Sequence, residues 1–135
     1  MGFQEALALQ PLWVQIWSWW MIAVTLAAAT AALIQPGVRR EGAAILLLNI
    51  GNGLVGAWIF ETLGFVRLIG LGHLIFWTPL AYVLWRRLAG AGSAEPAPVP
   101  ARWLLWALLA TILLSLPIDL VDAARYMLGD RAPRP

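Results

Sequence analysis

The chain has 135 residues, 61% of them hydrophobic and 12% charged, with a formal net charge of +2. A soluble domain carries about 25% charged residues, so this composition excludes an ordinary water-exposed fold and leaves no room for a separate soluble domain. Cysteine and lysine are both absent. Disulfides, thiolate metal sites and thiol nucleophiles are therefore excluded. The scattered arginines read as topology signals at helix ends and not as a nucleic-acid patch.

Four apolar runs of about the length a bilayer demands predict an all-α membrane protein. The expected fold is a four-transmembrane-helix bundle with short loops, forming one integral domain over 1–135. The first span is expected over 11–34. Proline suits its first turn because the missing N–H would be unsatisfied there anyway. Trp13, Trp17, Trp19 and Trp20 crowd its first half, as an interfacial aromatic belt would. The small residues of "TLAAATAAL" permit close helix contact in the second half. "QPGVRREG" then supplies turn residues and two arginines. No Lys or Arg precedes this span, and it is too long for a signal-peptide core, so it is expected to be retained.

The second span is expected over 43–60, the turn "ETLGFVR" after it, and the third span over 68–85. Spans two and three are expected to form an antiparallel hairpin around Gly64, which sets Gly56 near His73 in height. A linker rich in Gly, Ala and Pro follows over 88–101, flexible at first and stiffer toward its end. The fourth span is expected over 103–125, with a frayed tail over 127–135. Arg39, Arg40, Arg86, Arg87 and Arg102 fall on one side. Arg67, Arg125, Arg131 and Arg134 fall on the other. With no positive charge before the first span, the positive-inside bias puts both termini outside. The membrane expected is the bacterial inner (cytoplasmic) membrane.

The informative residues are polar ones inside apolar runs. In the fourth span, Thr111, Ser115, Asp119, Asp122 and Tyr126 are spaced by four, four, three and four, one face of an α-helix. Asp122 and Tyr126 suit the interface, and Thr111 and Ser115 can bond their own backbone. Asp119 lies deeper, about 9 Å inside Arg125 at 1.5 Å per residue. An ionised Asp near mid-bilayer costs about 2.5–3.5 kcal/mol on insertion scales, so a partner is expected. Pro117 removes the donor for the carbonyl around Leu113 and is expected to kink the span.

The single histidine, His73, lies at a similar depth in the third span and shares a face with Gly70 and Trp77. A His–Asp pair in a membrane can hold or pass a proton; a hydrogen-bonded histidine within a packed bundle is the plainer reading. His73 and Asp119 are expected within direct or one-water reach, with Arg125 and Asn52 as competing partners for Asp119. Asn49 and Asn52 form a stripe with Gly56 on the second span, facing protein or water. Gly53 and Gly56 are expected at a helix contact, within the chain or between subunits. Glu61 and Arg67 flank the turn, placed for a rim salt bridge or for contacts with Arg125 and Asp122. Trp58, Trp77, Trp85, Trp103 and Trp106 read as interface anchors or packing.

The candidate ion- or proton-binding residues are thus His73, Asp119, Asp122, Asn52 and Asn49, supported by Tyr126, Ser115, Glu61, Arg67 and Arg125. No phosphate loop, nucleophile elbow or His-x-x-x-His pair occurs, so no enzymatic activity is expected. Zinc or manganese at His73, Asp119 and Asp122 is chemically conceivable. Depth alone assembles no ligand set, and neither metal nor cofactor is assigned. The reading is ion or proton transport through an oligomeric helix bundle. Its rivals are a non-catalytic membrane subunit or assembly factor and a lipid- or hydrophobic-ligand-binding protein. The expected partners are membrane lipid and a homo-oligomer or membrane partner subunit, and no nucleic acid.

Overall fold

The computed structural model describes residues 2–64, 66–89, 99 and 101–130, with the backbone but not the side chain of Arg67. The described residues are helical and contain no strand. A short α1 (Phe3–Ala8) precedes α2 (Leu12–Ile34) and α3 (Arg39–Leu63). A 3₁₀ turn (Arg67–Gly70) and a π turn (His73–Trp77) lead into α4 (Thr78–Leu88), and α5 (Ala101–Met127) follows. Four helical stretches, Leu12–Ile34, Arg39–Leu63, Leu68–Leu88 and Ala101–Met127, are long and apolar enough to cross a membrane.

Local chemistry sets the boundaries. Pro36 biases the residue before it away from the helical region, and Gln35 is extended at φ −103°, ψ 126°. Gly37 then adopts φ +91°, so α3 restarts within a few residues. At that corner α2 and α3 nearly touch. A Cβ on Gly42 would lie 2.8 Å from the Leu33 backbone nitrogen. Arg87 secures the same corner from α4, donating from Nη2 to Gly37 O at 3.2 Å, with Nε 3.5 Å from Glu41 Oε1.

The core is a seam of small and branched side chains. From α2 it takes Ala28, Ala29, Ala31 and Ala32. From α5 it takes Leu105, Leu108 and Ile112, which recur at the helical period and are fully buried. Leu80 and Leu84 of α4 close it. Truncating one of these leucines to Ala would leave a cavity costing about 2–5 kcal/mol. Large apolar side chains such as Leu47, Leu54, Trp58, Trp103 and Leu114 point outward.

Four features depart from expectation. The helices are longer than the apolar runs, since Arg39, Arg40, Ala101 and Met127 continue their helical ladders. Residues 3–8 form a helix that composition did not mark. Its Glu5 carboxylate accepts from Gly2 N at 3.2 Å, and Phe3 meets Phe60 edge-on with centroids 5.6 Å apart. Gly53 and Gly56 have nothing within 4 Å of a notional Cβ, which removes them from any close contact within the chain. The close approaches fall at Gly42, Gly51, Gly70 and Gly72 instead. Asn52, not Gly56, stands level with the His73 turn, because Gly72 packs on it. Extended Val66 and a 3₁₀ turn rising about 2.0 Å per residue lift the third span faster than an α-helix would.

Most of the expected linker over 88–101 lies outside the described residues, as does 131–135 of the tail. Before that point, Asp130 N bonds Arg125 O at 2.9 Å and the Asp130 carboxylate meets Arg125 Nη2 at 2.9 Å.

Candidate functional site: a histidine–aspartate pair between an interrupted helix and a continuous one

The π turn carries His73 and ends just before Thr78 and Pro79. Proline has no N–H, so the carbonyls four and five residues back, Ile75 and Leu74, lose that donor. The Thr78 hydroxyl takes over one of them, donating to Leu74 O at 2.7 Å. The helix widens by one residue here, and the His73 ring faces α5.

There His73 Nδ1 lies 2.9 Å from Asp119 Oδ2. Ser115, one turn earlier on α5, donates its hydroxyl to the same oxygen at 2.9 Å. The pair is mostly shielded, with 19% of the His73 side chain and 13% of the Asp119 side chain exposed. An ionised carboxylate only accepts. In that state Nδ1 carries the ring proton, and Nε2 carries the lone pair when the ring is neutral. The carboxylate also presses on Gly70, where a Cβ would lie 2.8 Å from Asp119 Cγ. Any larger residue at 70 would push it away.

A second set of bonds holds the other face of the ring. The Trp77 indole stacks on His73 with centroids 4.3 Å apart and planes 26° apart. Trp77 is 2% exposed, and its Nε1–H donates to Asn49 Oδ1 at 2.8 Å. Asn49 is itself fixed, since Nδ2 donates to Ile45 O at 2.8 Å. An unbroken series of contacts therefore runs from α3 through Asn49, Trp77, His73 and Asp119 to Ser115 on α5. A charged imidazolium against an indole face would gain a cation–π attraction of about 0.5–2 kcal/mol.

The residues singled out by spacing are thus distributed as follows. His73, Asp119, Ser115 and, through Trp77, Asn49 come together. Asn52 abuts Gly72 beside them. Asp122 and Tyr126 are partly buried farther along α5, and Glu61 is exposed at the end of α3. Arg125 pairs with Asp130 and does not serve as the partner of Asp119. The expected Glu61–Arg67 bridge involves a side chain outside the described set. Thr111 takes the Trp20 indole N–H at 3.0 Å and donates to Ala107 O at 2.8 Å. Among the described residues, no three His, Asp or Glu side chains cluster closely enough to hold a metal ion.

Spacing placed Gly70, His73 and Trp77 on one face but did not reveal Trp77 as the ring's stacking partner. It also missed Thr78, whose adjacency to Pro79 was the available signal. Comparison with protein-family models, with curated proteins and with solved structures gave no match to this chain.

Proposed function

We propose that this is a small integral membrane protein that moves protons through an oligomeric helix bundle, with His73 and Asp119 as the proton-carrying pair. One observation carries the reading: an imidazole and a carboxylate in direct contact at 2.9 Å, both largely shielded, within helices of membrane-spanning length. Ionisable groups at such positions are costly in lipid, and proton pathways are among their recognised uses. A proton arriving at Nε2 gives an imidazolium whose Nδ1–H remains on Asp119. Loss of a proton from either nitrogen returns the neutral ring, so the pair can accept and release without moving the backbone. The proposal includes an antiparallel arrangement of α3 and the third span, supported by the order of contacts Asn49–Trp77, Gly51–Phe76 and Asn52–Gly72. It also includes both termini outside a bacterial inner membrane, supported by the arginines at 39, 40, 86 and 87.

The test is proton flux into liposomes containing only this protein, driven by a potassium diffusion potential and read by an internal pH dye. Flux above empty vesicles is expected, falling tenfold or more in both Asp119→Asn and His73→Gln. Wild-type flux no greater than that of empty vesicles, or undiminished flux in both variants, would overturn the reading. Orientation is tested separately with single cysteines, which the native chain lacks. Labels at Gly2 and Arg40 should react from opposite sides.

A further inference from the structure

The geometry points to Thr78 and Pro79 as positioning residues of the His73–Asp119 pair, acting through the π turn and not by touching either side chain. This rests on, and deepens, the proton-carrying reading, because it names what holds the pair in register.

The third span is wound unevenly on either side of His73. The 3₁₀ turn Arg67–Gly70 is overwound and the π turn His73–Trp77 is underwound. An α-helix advances about 100° per residue and a 3₁₀-helix about 120°, so the four residues of the 3₁₀ turn gain about 80° of excess twist. The π turn carries a twist error of the opposite sign. The two errors offset each other, and α4 continues with Leu80 and Leu84 fully buried in the core. Only the segment between the two turns is rotated relative to an ideal helix. That segment ends at His73.

If both turns relaxed to α-helix, α4 would keep its place while the His73 region rotated by roughly 80°. On a helix of about 5–6 Å outer radius, that rotation displaces a side chain by about 7 Å. A contact of 2.9 Å does not survive such a swing. The direction in which the ring points is therefore decided by whatever maintains the π turn.

Two neighbours in sequence maintain it. Pro79 disfavours an unbroken α-helix here, because its ring would press on the Ile75 carbonyl while offering it no N–H. Thr78 compensates by donating its hydroxyl to Leu74 O at 2.7 Å. Thr78 is exposed and lies outside the His73–Asp119–Ser115 hydrogen-bond set. Its replacement leaves the packed core alone, so an effect on the pair must pass through the backbone.

His73 is the only histidine, and a histidine-specific ¹⁵N label in lipid therefore yields one pair of ring signals. Wild type, Asp119→Asn, Thr78→Val, Thr78→Ser and Pro79→Ala are compared. Asp119→Asn defines the ring signals of a broken pair. Thr78→Val and Pro79→Ala should shift the ring signals toward that position, and Thr78→Ser should restore the wild-type pattern. Should Thr78→Val lose helical content by circular dichroism, Pro79→Ala, which restores a helix donor, decides. Wild-type ring signals in the folded variants lacking the hydroxyl or the proline would overturn the inference. Flux on the same samples separates the two proposals. Ring signals that follow Thr78 and Pro79 without flux in any sample support the positioning role and remove the transport reading. Flux lost in Asp119→Asn but kept in Pro79→Ala, with its ring signals unmoved, retains transport and overturns the positioning role.

Discussion

Pro79 lies just beyond His73 on one helix, and Pro117 lies just before Asp119 on the other. The backbone meets the two prolines differently. Around Pro79 the helix opens into a π turn. Around Pro117, α5 stays α-helical from Ala101 to Met127. The neighbouring hydroxyls account for the contrast. Thr78 turns back to its own backbone at Leu74 O, whereas Ser115 reaches forward to the Asp119 side chain. The α5 helix is also held on the approach to Pro117 by a buried stripe from Ala101 to Ser115. The start of the third span has less apolar side chain to anchor it, with glycine at 70 and 72, and takes its shape from neighbours. Proline alone does not fix the outcome; the donors and packing around it do.

This contrast makes the third span sensitive to its neighbours and α5 tolerant of change near its proline. The largest effect is expected from Gly70→Leu. Its side chain must displace the Asp119 carboxylate, and overpacking of this kind typically costs about 1–3 kcal/mol. Thermal melting in detergent should fall, and the ring signals of His73 should match those of Asp119→Asn. An unchanged melting temperature would show that the 3₁₀ turn yields easily. Next comes Asn49→Leu, which leaves the buried Trp77 N–H without its acceptor, a loss of about 1–3 kcal/mol. The corresponding change on α5, Thr111→Val, strips the acceptor from Trp20, which is 48% exposed. Its cost should be clearly smaller, and equal costs would break the comparison.

Ser115→Ala should remove about 1 kcal/mol while leaving the His73–Asp119 contact in place, because Gly70 still packs against the Asp119 carboxylate. Loss of that contact, read from the histidine label, would make Ser115 as decisive as Thr78. The smallest effect is expected for Gly56→Ala. Nothing lies within 4 Å of the added methyl, so the change should stay within about 0.5 kcal/mol. A larger loss, accompanied by a changed oligomer distribution, would place that face against a second copy.

The helical content and the number of long apolar helices were legible in the sequence because they depend on composition and run length alone. The polar faces were legible for a related reason. Helical periodicity puts Thr111, Ser115 and Asp119 on one stripe of α5, and Gly70, His73 and Trp77 on one stripe of the third span, whatever surrounds them. Equal depth made Asp119 a reasonable partner for His73. Only the tertiary structure decided the rest. Arg125 is the main competitor that the sequence offers, and it turns to Asp130 because the end of α5 brings that carboxylate within 2.9 Å. Height matching favoured Gly56, but a 3₁₀ turn climbs faster than an α-helix, and Asn52 took the position. The Asn49 bond that holds Trp77, and the Asp119 contact that holds His73, depend on how α3, the π turn and α5 pack side by side. That geometry is a property of three helices together and is not encoded in the periodicity of any one of them.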